Sequence, residues 1–236
     1  MEKIIVRANE RGLADHGWLQ ARHTFSFAGY YNPERVHFGT LRVFNDDIVA
    51  GGMGFGMHPH DNMEIVTIPI KGSLEHKDSQ GNHGVITNGE VQVMSAGSGI
   101  NHSEFNHSKD EDVNLMQIWV FTRTRDIEPR YDQKKFDPEG RKNKFQVVVS
   151  PEENKESLWV NQYVYFNLGD FDKGQNVKYE RKLKNNGLWI FMIEGEAEIA
   201  GEKLGRRDSI GITDADDIEI KFSEDSQILV MDVPMN

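Results

Sequence analysis

The sequence contains no cysteine, which excludes disulfides, thiolate zinc sites and cysteine nucleophiles. Any metal must be held by His, Asp, Glu or water. No run approaches the roughly 20 apolar residues of a membrane-spanning helix. The first residues, MEKIIVRANERG, carry charges every few positions, where a secretion signal would have an apolar stretch. The cytoplasm is the expected compartment. Basic residues are also scarce: 27 Lys and Arg stand against 38 Asp and Glu, a net charge of −11. A nucleic-acid surface needs clustered cations to displace counterions from phosphate, so none is expected, nor is an anionic membrane face. Acidity by itself identifies no substrate.

Apolar residues make up 37% of the 236 positions and aromatic residues 10%, enough for two compact modules rather than one minimal domain. Period-2 alternation and β-branched runs recur throughout. FGTLRVFNDD (38–47), EIVTIPI (64–70), GVIT (84–87), EVQVM (90–94) and NLMQIWVF (114–121) read as strands, separated by turn-forming KG, DSQGN and NGE. Short, closely spaced strands of this kind imply a sandwich or barrel.

From about 123 to 144 the composition shifts to RTRDIEPRYDQKKFDPEGRKNK, with two prolines and no apolar period. Strand patterning resumes in FQVVV (145–149), NQYVYFNL (161–168), GLWIFMI (187–193), EAEIAG (196–201), IEIKF (218–222) and QILVMDV (227–233). PEENKESL (151–158) fits one helical turn or a polar loop. The expected organisation is a first barrel at 1–125, a linker at 126–144 and a second barrel at 145–236. IPIKGSLE (68–75) and FMIEGEAE (191–198) share a pattern that favours duplication.

All nine histidines, at 16, 23, 37, 58, 60, 76, 83, 102 and 107, fall in the first half. An ungapped offset of 123 from the repeat makes Arg181, Leu183, Asp225 and Gln227 the counterparts of His58, His60, His102 and Glu104. The second barrel therefore holds no His site. His58 and His60 flank Pro59, and His102 and Glu104 share the same i, i+2 spacing. On strands, each pair points to one face, about 6.6 Å apart, and neighbouring strands lie about 4.8 Å apart. Two such pairs on adjacent strands can converge on one ion. Three imidazoles and a carboxylate suit Fe(II), Mn, Ni, Cu or Zn. An isolated H-x-H is a frequent accident, but the glycine-rich contexts GGMGFGMHPH and SAGSGINHSE allow close backbone approach around a barrel mouth.

Gly52–x5–His58–x–His60–x3–Glu64 and Gly99–x2–His102–x3–Asn106 resemble the two short motifs of the cupin superfamily. More specifically, RHTFSFAGYYNPERVHFGTLRVFNDD (22–47), HPHDNMEIVTIPIKGSLEHKDSQGN (58–82) and GVITNGEVQVMSAGSGINHSE (84–104) resemble the pirin family, bicupins that include quercetin 2,3-dioxygenases. The likeness is dense over 1–125 and thin over 140–236, where the second half looks trimmed. It implies an all-β chain of two tandem cupin barrels of the jelly-roll type. It also implies one divalent metal held by His58, His60, His102 and Glu104, Fe(II) foremost, with Mn, Ni, Cu, Co or Zn as alternatives. General cupins draw their carboxylate from the first motif, here Glu64; the pirin pattern puts Glu104 ahead, with Glu64 as a neighbour of the site or core-facing. Asp61-Asn62-Met63 departs from the family's basic, small, aromatic stretch, which bears on the pocket mouth rather than the ligands.

The resemblance further implies that a flavonol such as quercetin chelates the metal, loses its 3-hydroxyl proton and reacts with dioxygen, opening the ring with release of carbon monoxide. Glu104 would be the catalytic proton acceptor as well as a ligand. A second reading permitted by the same family is a non-catalytic, metal-binding redox or transcription co-regulator acting through a protein partner. A third is an isomerase or small-molecule binder of the wider superfamily; fold alone does not choose among them. A monomer is expected, since two packed barrels are self-sufficient. Phe25, Phe27, Tyr30, Tyr31, Phe38 and Phe44 read as barrel core ahead of pocket lining. His76, His83 and His107 read as surface or turn residues, and His23 and His37 as neighbours of the site. The DEDV and DADDIE runs read as exposed faces, since they lack the spaced oxygens and central Gly of a calcium loop.

Overall fold

The computed structural model describes residues 1–235. Strands dominate it, and its helical turns are two short 3-10 segments at Ala8–Glu10 and Pro138–Gly140. No described helix is long and apolar enough to cross a membrane.

The strands form two units of the same design, each a seven-stranded sheet facing a four-stranded one. In the first unit, Met63–Lys71, Val113–Phe121 and Leu41–Val49 lie side by side at the centre of the large sheet. Its small sheet runs Gly54–His60, Ile100–Asn106, Ser73–Asp78, His83–Thr87. The second unit repeats this order with Asn186–Glu194, Ser226–Pro234 and Tyr165–Phe171, opposite Asn176–Glu180, Asp217–Phe222, Ala197–Ile199 and Glu202–Leu204. Both are cupin barrels.

The barrels pack through their large sheets. Alternation along Leu41–Val49 sends Val43, Asn45 and Asp47 into the first barrel and Phe44 toward the second. Phe44 meets Phe191 with ring centroids 4.7 Å apart, and Phe25 and Phe38 flank Trp189 at 4.9 and 5.2 Å. Burying such rings at the junction contributes on the order of 1.5–3 kcal/mol each. Arg207 of the second barrel adds a polar clasp, donating to Asp46 Oδ1 and Asn114 Oδ1, each at 3.1 Å.

Two boundaries differ from the sequence-based division. Residues 126–144 are more than a connection, because Arg130–Lys135 pairs with Glu90–Ser95 at the edge of the first barrel's large sheet. Its alternating partner is an already formed edge strand, so it needs little apolar patterning of its own. Conversely, Glu2–Val6 crosses over to pair with Ser209–Thr213 of the second barrel. PEENKESL forms bends and leads into the short strand Leu158–Trp159 rather than a helical turn.

The second barrel's interior is apolar. Its strand pair Asn176–Glu180 and Asp217–Phe222 turns Tyr179, Ile218 and Ile220 inward, with Phe171, Leu188 and Ile190 around them. These, rather than Arg181, Leu183, Asp225 and Gln227, occupy the positions equivalent to the first barrel's histidine strands, because loop lengths differ and no single offset aligns both strands. No metal-type cluster of His, Asp and Glu occurs there among the described residues.

Candidate metal centre

The strands Gly54–His60 and Ile100–Asn106 pair antiparallel, with His58 opposite His102 and His60 opposite Ile100. The i, i+2 spacing turns His58 and His60 to one side, and a register shift between His102 and Glu104 accommodates the second pair. The turn after His60 is fixed by Asn62, whose φ of 48° lies in the left-handed region that Asn tolerates. Asn62 Nδ2 donates to Asp126 Oδ1 at 3.0 Å, and the Asp126 amide donates back to Asn62 Oδ1 at 2.7 Å.

The imidazoles of His58, His60 and His102 converge, with ring centroids 4.4 to 4.9 Å apart and donor atoms within 4.8 Å of one another. His58 Nδ1–H donates to the Gly56 carbonyl at 2.7 Å, leaving Nε2 as its free lone pair. His60 packs edge-on against Trp119 at 4.8 Å. His102 Nε2 is buried without a hydrogen-bond partner. Burial, reinforced by the neighbouring imidazoles, holds His102 down to about 2 and His60 to about 4, so both rings are neutral at physiological pH. An orphaned, neutral ring nitrogen facing two others is the donor set a divalent transition metal takes.

Glu104 faces the same cavity but is held differently. Gln117 Nε2 donates to its Oε2 at 2.8 Å, and its carboxylate groups within 4.8 Å with His102 and His76 rather than with the complete histidine trio. Burial raises Glu104 to about 7 against the opposing bonds from Gln117, Thr67 and Gln92.

Glu64 lies elsewhere. The turn at 61–62 puts it on a new strand and breaks the parity that would align it with His58 and His60. Its Oε2 accepts from Ser95 Oγ at 2.7 Å and from the Asn161 amide at 3.1 Å, tying the first barrel to the second.

His76 corrects the surface reading: it is fully buried. His76 Nε2–H donates to Asp78 Oδ2 at 3.0 Å, its ring stacks on Tyr131 at 4.4 Å, and its Nδ1 faces His102 Nδ1 at 3.4 Å. Burial lowers His76, so its Nδ1 stays an acceptor for His102 Nδ1–H and the His102 lone pair sits on Nε2. The i, i+2 spacing puts His76 and Asp78 on one strand face, but only the pairing of that strand with Ile100–Asn106 buries it. His83 and His107 are exposed beside Glu75, His23 Nδ1 bonds Asn45 Oδ1 at 2.9 Å, and His37 Nδ1 donates to the Gly39 carbonyl.

A cavity of about 470 Å³ opens over this cluster, lined by Trp18, Phe27, Phe55 and Trp119 together with Asn45, Asp47 and Gln117. That lies within the roughly 300–1,000 Å³ of small-molecule sites, and the mix of aromatic walls with few polar groups is their usual character. Phe27 lines it, whereas Phe25, Phe38 and Phe44 are core and Tyr31 is exposed.

The pirin family model matches residues 6–120, and that of the quercetinase C-terminal cupin domain matches 147–233. The chain is 43% identical over 232 residues to a quercetin 2,3-dioxygenase of Escherichia coli K12, covering 97% of each. It is 37% identical over 222 residues to a pirin-like protein of Caulobacter vibrioides, covering 94% of this chain and 95% of that one. The crystal structure of Escherichia coli YhhW superposes with a TM-score of 0.94 at 41% identity, covering 99% of this chain and 98% of that one. A structure of the bacterial pirin YhhW in complex with nickel(II) gives 0.93 at 40% identity, covering 99% of each chain. With both halves matched and a shared two-barrel fold, this chain belongs to the pirin family.

Proposed function

We propose that the chain is a metal-dependent dioxygenase that cleaves flavonols such as quercetin with dioxygen and releases carbon monoxide. The observation that carries this reading is the convergence of His58, His60 and His102, with the His102 Nε2 orphaned, under a cavity with aromatic walls. The resemblance to proteins named quercetin 2,3-dioxygenase supplies the substrate class.

In this reading His58, His60, His102 and Glu104 hold one divalent ion. Fe(II) is the first candidate, and Mn, Ni, Cu, Co and Zn suit the same donors. A nickel-bound relative supports a divalent ion of this type. The ion would supply Lewis acidity, lowering the pKa of a hydroxyl brought to it. The flavonol's 3-hydroxyl and 4-keto oxygens form the chelating edge. Glu104 takes the hydroxyl proton: burial has already raised its proton affinity, and the Gln117 amide keeps its carboxylate oriented. Trp18, Phe27, Phe55 and Trp119 exclude water around the aromatic substrate. Both atoms of dioxygen enter the ring-opened product, on the two carbons that flanked the 3-hydroxyl carbon, and that carbon leaves with its own oxygen as carbon monoxide.

The test is metal-loaded protein with quercetin in air, following flavonol absorbance and carbon monoxide together. Quercetin consumed and carbon monoxide released by the wild type, with neither change in His58→Ala or Glu104→Ala, supports the enzyme. Unchanged quercetin at full metal occupancy contradicts it and favours a metal-carrying regulator that acts through a protein partner.

A further inference from the structure

Asp46 and Asp47 are adjacent in sequence but face opposite sides of the strand Leu41–Val49. Asp46 serves the barrel junction, where Arg11 at 3.4 Å, Arg207 at 3.1 Å and Asn114 at 2.8 Å all donate to it. Asp47 points into the first barrel and lines the cavity beside the histidines. It makes no ion pair among the described residues, and its Oδ1 is buried without a hydrogen-bond partner. The residue is only 5% exposed. Leaving such a group unpaired costs on the order of 1–3 kcal/mol, which a packing role would not repay.

Two residues along the same face, Asn45 also lines the cavity. His23 Nδ1 engages Asn45 Oδ1, leaving the amide N–H groups as donors on the cavity side. Asn45 lies directly opposite Gln117, the residue that holds Glu104, and cross-strand neighbours have Cβ atoms about 4.5–5.5 Å apart. An acceptor and a donor therefore sit one side chain away from the proposed proton acceptor. Trp119 Nε1, in the same wall, is likewise buried without an acceptor.

We infer that Asp47 and Asn45 form a recognition subsite for a phenolic hydroxyl of the substrate, distinct from the oxygens that meet the metal. The inference rests on the aromatic-substrate reading and deepens it: the pocket selects polyhydroxylated rings over bare ones. A carboxyl accepts a hydrogen bond from a phenol whether ionised or neutral, so the assignment does not depend on the protonation of Asp47. A site built around a substrate hydroxyl discriminates against an analogue lacking it, because the buried polar groups are then left unpaired.

The experiment uses nickel-loaded protein under nitrogen and measures dissociation constants for quercetin and for 3-hydroxyflavone. The latter keeps the 3-hydroxyl and 4-keto edge but lacks the other hydroxyls. Wild type should bind quercetin at least about tenfold more tightly. In Asp47→Leu that preference should collapse through weaker quercetin binding, with 3-hydroxyflavone affinity held or improved and nickel stoichiometry unchanged. Asp47→Asn, close in shape and still able to hydrogen-bond, should lose only part of the preference and carries the test if the leucine variant fails to fold. Equal weakening of both ligands, or no change in either, overturns the subsite. Equal affinity of wild type for the two ligands also overturns it while leaving the flavonol reading intact. If wild type binds neither flavonol, the functional reading itself falls, and the subsite with it.

Discussion

The Nδ1 atoms of His76 and His102 face each other across 3.4 Å, with Asp78 closing the far side of His76. Asp78 is itself pinned, since burial would raise it but bonds from His76, Asn82 and Gln80 outweigh that and lower it. The chain Asp78–His76–His102 sets which His102 nitrogen keeps its lone pair. Replacing His76 by Phe preserves the stack on Tyr131 but removes the acceptor. Nickel affinity, read by calorimetry or chelator competition, should fall by about 10–100-fold. Asp78→Asn should shift it less and in the same direction.

The proposed ligands should separate by role. His58→Ala and His102→Ala should abolish stoichiometric metal. Glu104→Gln should retain the ion at reduced affinity and lose flavonol turnover, since three imidazoles remain but the proton acceptor does not. Metal analysis on each purified variant, run beside the quercetin assay, checks both halves.

Stability of the metal-free protein should depend on pH through the same groups. His102 and His60 are held at about 2 and about 4, below their ordinary 6.5, so the unfolded chain binds their protons first as pH falls. Their contribution is present above 6.5 and is lost on acidification. Glu104 runs the other way: raised from 4.5 to about 7, it keeps a proton in the folded chain that the unfolded chain has released, so its contribution is present at low pH and lost as pH rises through about 7. Between 4.5 and 6.5 two histidine protons oppose one from Glu104, and these groups make stability rise with pH. Glu104→Gln should steepen that rise by about 1.4 kcal/mol per pH unit. Urea midpoints of both proteins across this window measure it.

At the barrel junction, Arg207→Ala removes the donor to Asp46 and Asn114. Arg11 still meets Asp46, so the loss should be about 2–3 kcal/mol, below the full value for stripping a buried pair. Denaturant unfolding measures it, and nickel stoichiometry should not change.

Much of this architecture was legible from alternation alone. Met63–Lys71, Val113–Phe121, Asn186–Glu194 and Ser226–Pro234 are long, apolar and central, so burial on both faces marks them in the sequence. The small-sheet strand Gly54–His60, with one face toward the cavity and its glycines and proline, has no such signature. Strands that pair at a sheet edge, such as Glu2–Val6 and Arg130–Lys135, were equally silent, because their partners are distant in sequence. NQYVYFNL illustrates a shifted start: Asn161 and Gln162 are spent on loop contacts, and the strand begins at Tyr165. The histidine trio could be proposed from spacing, but the burial of His76 could not. Only the pairing of Glu104 with His76 across two strands brings it behind His102. Asp47 was hidden for a similar reason, since nothing in the run FNDD says which carboxyl turns inward.

The most direct measurement is X-ray absorption at the nickel edge on protein loaded with one equivalent of metal. Three imidazole nitrogens and one carboxylate oxygen are predicted, with the carboxylate lost in Glu104→Gln and no stoichiometric ion left in His60→Ala. A sub-stoichiometric ion in the wild type, full occupancy in His60→Ala, or a spectrum indifferent to Glu104→Gln would contradict the account.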